Sequence, residues 1–202
     1  MNLENKNNEP KYEKVYKYTY SKLKYLESLQ EMDTGKGVLA NLRRGVGRKL
    51  GETPELWGLV FDGCPEELLG KRNFSNAEWS IYTALTLYAL HQQGNSQLMN
   101  CYDDTSLGKA CRKLAKDDDE ERILNRLNLV VTAISKEDIS YHLRGIVQLL
   151  SNNKIPLDYS KLAKQLYLIR NSDYSESIKL SWGRDFYPYD KSKNEGDNKD
   201  EQ

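Results

Sequence analysis

The chain has 202 residues, 38% of them hydrophobic and 30% charged, with a mean hydropathy of -0.78; at roughly 100–200 residues per domain this allows one or two domains. Lys and Arg number 30 and Asp and Glu number 30, so the net charge is zero and announces no polyanion partner; any such partner must be read from how the charge is distributed. No apolar run approaches the roughly 18–20 residues that span a bilayer, and the first residues hold no apolar signal core, so a cytoplasmic protein is expected.

Residues 1–10 and 188–202 are polar and read as disordered tails, the second of them acidic. Between them the periodicity is helical, and no stretch alternates long enough to compete as a strand. The first helix covers about 12–31, with Val15, Tyr16, Leu23, Leu26 and Leu29 on one stripe and lysines on the other face. Thr34 is placed to cap a second helix through Leu39, Leu42 and Val46, which the glycines at 45, 47 and 51 then weaken into a basic loop. Thr53-Pro54 predicts a short helix through Trp57 and Val60, stopped by Cys64-Pro65. Ser75-Asn76-Ala77-Glu78 is a capping box, and the helix it opens is apolar on nearly every face, as befits the centre of a bundle; it ends near Gly94. Residues 95–104 are polar and lack a stripe, and are read as a linker. Five more helices follow, at about 105–116, 118–134, 136–150, 158–170 and 173–186. The acidic run 117–121 suits a helix start, where the helix dipole favours carboxylates. The expected fold is all-α: two small helical bundles, 11–94 and 105–187, joined by a short linker.

The search for catalytic chemistry finds no constellation. Cys64, Cys101 and Cys111 are an odd set without C-x-x-C spacing, which argues against a disulfide framework and a zinc knuckle. His91 and His142 fall in different predicted bundles without ligand-spaced partners; His91 reads as a cap or surface residue at the end of its helix. The glycines from Gly45 to Gly51 lack the Gly-Lys-Ser/Thr and the preceding strand that a Walker loop needs. Neither a metal nor another cofactor is expected, and no enzyme activity.

Basic charge is uneven. From Thr34 to Gly51 there is no acid, yet Lys36, Arg43, Arg44, Arg48 and Lys49 fall there. Lys109, Arg112, Lys113 and Lys116 stand at i, i+3, i+4 and i+7, on one helix face, over about 10 Å at a rise of about 1.5 Å per residue. Leu107, Ala110, Cys111 and Leu114 take the opposite face, which puts Cys111 in the core. Such a ladder matches backbone phosphates without reading bases; it is also how an amphipathic helix stays soluble. Arg122, Arg126, Arg144, Lys161 and Lys164 add basic positions that have acidic neighbours and are open to ordinary surface ion pairing.

Leu39-Ala40-Asn41-Leu42-Arg43-Arg44, then Pro54-Glu55-Leu56-Trp57, then the capped apolar helix resemble the CasB family, the small subunits of the type I-E CRISPR surveillance complex Cascade. Ser106-Leu107-Gly108-Lys109-Ala110, Glu121-Arg122-Ile123-Leu124, His142-Leu143-Arg144-Gly145 and Ile155-Pro156-Leu157-Asp158-Tyr159 follow in family order, so the resemblance covers about residues 12–187. It implies a non-catalytic protein present in two copies beside the guide RNA, touching the guide-RNA backbone subunits, the large subunit and a second copy of itself. It implies too that basic surfaces hold the displaced single-stranded DNA of the R-loop. Arg43 and Arg44 match the family's paired arginines, and Lys109, Arg122 and Arg144 match basic positions of the second bundle; Arg48, Arg112, Lys113, Lys116 and Arg126 join on geometry or local charge. The zero net charge departs from a basic family balance, and the acidic stretch after Tyr187 would compete with DNA. The aromatics fall mainly in predicted apolar stripes, so backbone electrostatics is expected to outweigh stacking. The rival reading is a helical scaffold whose basic faces meet only protein.

Overall fold

The computed structural model describes residues 9–30, 32–115 and 119–187. Both expected tails, apart from Glu9 and Pro10, lie outside these residues, as do Lys116, Asp117 and Asp118. Among the described residues the helical periodicity becomes α1 (Lys11–Ser28), α2 (Asp33–Arg44), α3 (Trp57–Phe61), α4 (Asn76–Gln92), α5 (Leu107–Leu114), α6 (Glu120–Thr132), α7 (Lys136–Asn152), α8 (Tyr159–Ile169) and α9 (Ser172–Phe186). Short 3-10 turns occupy Leu50–Glu52, Pro54–Leu56 and Glu66–Leu68, and the one β-like pairing described is an isolated parallel bridge between Asn100 and Leu157. The chain is all-α.

Local chemistry sets most of the starts. The Ser75 hydroxyl accepts from the Glu78 N–H at 3.0 Å while the Glu78 carboxylate takes the Ser75 N–H at 2.5 Å, so the capping box closes. Ser106, Ser135 and Asp158 likewise accept from the backbone N–H three residues on. Glu120 and Glu121 fill the first turn of α6. Thr34 does not cap α2, which begins one residue earlier after Met32 without a side-chain cap. Thr53 precedes Pro54 as expected, but its hydroxyl bonds back to the Leu50 carbonyl at 3.1 Å instead of forward into the turn.

Helix α4 is the axis. Residues 77–89 are all buried, because α1, α2, α7 and α8 all pack against it. A contiguous set of buried apolar side chains runs from Val15 on α1 through Leu85 to Phe186 on α9. The segment from 93 to 106 is tied to both halves. Asn100 donates to the Glu27 carboxylate of α1 at 3.1 Å and accepts from the Tyr159 N–H of α8 at 3.0 Å, while the Tyr102 hydroxyl reaches the same carboxylate at 2.9 Å. Lys164 of α8 pairs with Glu13 of α1 at 2.5 Å.

The expectation for His91 is corrected. It is fully buried, not at the surface, because α4 is covered to its last turn by α7 and α8. Its Nδ1 shares a hydrogen bond of 3.0 Å with the Tyr159 hydroxyl. Desolvation holds its pKa down at about 4, so the ring is neutral at ordinary pH.

Candidate nucleic-acid interface

The basic residues named from sequence fall on three surfaces. The first is the outer face of α5. Leu107, Ala110, Cys111 and Leu114 are buried and Lys109, Arg112 and Lys113 exposed, as the spacing requires. Burial alone pushes the Cys111 thiol up to about 12, which leaves it an inert core group. The helix is pressed against α9 at Gly108, where a Cβ would overlap the Trp182 carbonyl oxygen. The Ser106 hydroxyl fixes the same contact by donating to the Asp185 carboxylate.

Most of this ridge is met by the chain's own carboxylates. Arg112 pairs with Glu120 at 2.7 Å and Arg122 with Asp119 at 2.8 Å. Asp104 holds Lys161 at 2.7 Å and Lys109 more loosely at 3.8 Å. These pairs are solvent-facing and worth about 0–1 kcal/mol each, so a polyanion can exchange for them. Lys113 forms no direct ion pair among the described residues, but its charge acts on the nearby Asp103 carboxylate, which hydrogen bonds from Thr105 and Cys101 already hold well below the usual carboxylate range. Lys116, the fourth rung of the expected ladder, lies outside the described residues.

The second surface is the end of α2. Gly45 closes the helix, and Arg43 and Arg44 occupy its last turn, where cations complement the dipole. Arg44 is exposed and donates to the Asn41 side chain at 3.2 Å; Arg43 is half-buried. No carboxylate pairs with either among the described residues.

The third surface was not visible as a unit in the sequence. The loop after α2, the helix α3, the loop before α4 and the first turns of α7 enclose an open groove of about 1100 Å³ over the side of α4. Arg48 and Arg144, expected separately, both line it, and so do Lys49, Lys71, Arg72 and Lys136. Arg48 donates to the Glu52 backbone carbonyl at 3.2 Å, and Lys136 sits 5.6 Å from the Trp79 ring on the floor. None of the six cations makes an ion pair among the described residues. Arg126 approaches from α6: a Cβ built at Gly145 would meet its guanidinium at 3.5 Å. Arg43 and Arg44 are not among the lining residues.

Sequence reasoning missed Lys71, Arg72 and Lys136, and it missed the aromatic side chains on this groove. Trp57, Phe61, Phe74 and Tyr141 are exposed at its walls, which departs from the expectation that aromatics sit in apolar stripes. The adjacent Lys71-Arg72 in a polar loop, and the Trp57 and Phe61 pair at i, i+4, were the available signals. Among the described residues no three His, Cys, Asp or Glu side chains gather as a metal site would require, and no helix is long and apolar enough to cross a membrane.

An all-helical chain with basic residues on separate outer faces belongs, by fold and surface, to the class of helical proteins with cationic surfaces. Comparison with known proteins narrows this. The model of the CRISPR-associated protein Cse2 family matches residues 38–187. The crystal structure of CasB from Thermobifida fusca superposes with a TM-score of 0.73 at 31% identity, covering 86% of this chain and 98% of that one. A CRISPR-associated protein of the Cse2 family from Thermus thermophilus shares the fold with a TM-score of 0.62 at 21% identity, covering 85% and 98%. No curated protein sequence matches the chain. The chain belongs to the Cse2 (CasB) family of CRISPR-associated proteins.

Proposed function

We propose that this chain is a non-catalytic small subunit of a type I-E Cascade complex, and that it grips nucleic-acid backbone without reading sequence. Its main ligand is the non-target DNA strand displaced from the R-loop. Its helices act as two bundles, α1–α4 and α5–α9, that share one apolar core. Its partners are the guide-RNA backbone subunits, the large subunit, the guide RNA and a second copy of itself, in the cytoplasm. Membership of a CRISPR-associated family supports this placement.

The observation that carries the reading is the set of cations that form no ion pair with a carboxylate among the described residues: Arg43, Arg44, Arg48, Arg126 and Arg144. Unpaired cations held apart on a rigid helical frame gain by releasing counterions from phosphates. Exchange of a DNA duplex for an RNA–DNA heteroduplex is nearly balanced, so a protein that holds the expelled strand tips it. Reversing Arg43, Arg44 and Lys109 to Glu together is expected to weaken target-DNA binding by the assembled complex and to flatten its salt dependence. Unchanged binding with an unchanged salt slope would refute the electrostatic mechanism. The scaffold reading draws support from the self-paired ridge and from Ile134, which is 85% exposed; it predicts the unchanged result.

A further inference from the structure

We propose that the groove over α4 takes unpaired nucleobases, so that this chain holds a single strand by stacking as well as by charge. The inference rests on the phosphate-binding reading above and adds a site to it.

Four aromatic side chains line the walls and are partly open to solvent. Trp57 and Phe61 come from α3, Phe74 from the loop before α4 and Tyr141 from α7, and they are 46%, 36%, 38% and 73% exposed. Two of them are held in place by the fold. The Trp57 indole N–H donates to the Leu50 carbonyl at 2.9 Å, and Phe74 packs edge-on to Tyr82 with ring centroids 6.4 Å apart. Several large rings left uncovered on one concave surface mark a binding surface, whereas scattered single ones do not.

The charge selects the occupant. Six cations line the groove against four carboxylates, Glu52, Glu78, Glu137 and Asp138. Glu78 is already committed, because its carboxylate accepts from the Gly70 and Ser75 N–H groups. The groove is larger than the roughly 300–1,000 Å³ of a small-molecule pocket, and it offers more cations than one phosphate group uses. Cations and partly exposed aromatic rings sharing one groove suit a chain of phosphates carrying flat bases, since every base has a face that stacks whatever its sequence. A purely acidic protein segment would satisfy the cations and leave the rings uncovered.

The test compares two strands of equal charge on the full-length protein: a thymidine oligomer of about twenty residues and an abasic deoxyribose-phosphate oligomer of the same length. The thymidine strand is expected to bind at least about tenfold more tightly at the same ionic strength and to quench tryptophan fluorescence. The quench should arise at Trp57, because Trp79 and Trp182 are 5% and 0% exposed; Trp57→Phe should remove it while keeping a ring that stacks. Tyr141→Ala removes no bond from the core, and is expected to lower thymidine-strand affinity severalfold and leave the abasic strand unchanged. Equal affinities for the two strands would overturn the stacking proposal, leave the phosphate reading standing and give the groove to an acidic protein segment. Failure of both strands to bind at low salt would overturn both.

Discussion

The α5 ridge and the groove over α4 carry the same kind of side chain and differ in what stands opposite it. On the ridge, Lys109 and Arg112 face Asp104 and Glu120, and Arg122 faces Asp119. In the groove, Arg48 and Arg144 form no ion pair among the described residues and share the lining with aromatic side chains. A run of cations along one helix invites carboxylates from the neighbouring loop and the next helix start, so the densest cluster in the sequence is the more neutralised one in the fold. Cations drawn from three separate segments, the loop after α2, the loop before α4 and the start of α7, meet without forming ion pairs among the described residues. Clustering in sequence is therefore a poor guide to electrostatic availability, and spacing across the fold is a better one.

The largest expected effect falls on the core that both regions are built over, where His91 of α4 lies between α7 and α8. His91 is buried neutral with a pKa near 4 against an ordinary 6.5. The folded state therefore resists the proton that the unfolded chain accepts. Its contribution is complete above about pH 6.5 and falls as pH drops through the window to about 4, by about 3 kcal/mol in all. His91→Gln, which can still hydrogen-bond Tyr159, should lose less stability on acidification across that window in paired thermal melts. Parallel pH profiles for the two proteins would contradict the buried neutral imidazole.

Next come two glycines that separate the regions. Gly108→Ala drives a methyl into the Trp182 carbonyl oxygen, and is expected to cost about 1–3 kcal/mol by forcing α5 from α9. Gly145→Ala meets nothing closer than the Arg126 guanidinium at 3.5 Å and should be neutral, or stabilising by up to about 1 kcal/mol through helix propensity. Denaturant midpoints check both, and similar losses at the two positions would undo the picture of an α5 fixed by close packing at Gly108.

A third test matches charge for charge. Neutralising Arg48 and Arg144 to Gln should lower single-strand affinity about tenfold and reduce the salt slope by about 1.4, at about 0.7 per phosphate contact. Neutralising Lys109 and Arg112 should change the slope by less than half as much, because those cations are already partly compensated. Equal slopes from the two pairs would show that the carboxylates do not matter. The smallest effect runs the other way: Glu120→Gln frees Arg112 and is expected to raise single-strand affinity about two- to threefold, with stability changed by no more than about 1 kcal/mol.

Much of the frame was legible because it is local. The capping box at Ser75, the all-round apolar character of α4 and the division of α5 into a buried and an exposed face are properties of spacing, and the structure keeps them. Arg48 and Arg144 were picked out singly, but their meeting depends on how α3 and α7 fold over α4, which no window of sequence contains. Trp57 and Phe61 could not be assigned to surface or core by periodicity, since α3 is only 5 residues long. His91 was misplaced for a related reason: it stands in the last turn of its helix, where ends are usually open, and its contacts with Tyr159 of α8 and Ser151 of α7 come from distant sequence.

The central claim is that the displaced strand lies on this chain. Photocrosslinking tests it most directly: an assembled complex bound to target DNA that carries photoreactive thymidines along the displaced strand, followed by mapping of the adducted peptides. Adducts are expected on the peptides that contain Trp57, Phe74 and Tyr141, and fewer of them when Arg48 and Arg144 are neutralised. Adducts confined to other subunits, with none on these helices, would contradict it.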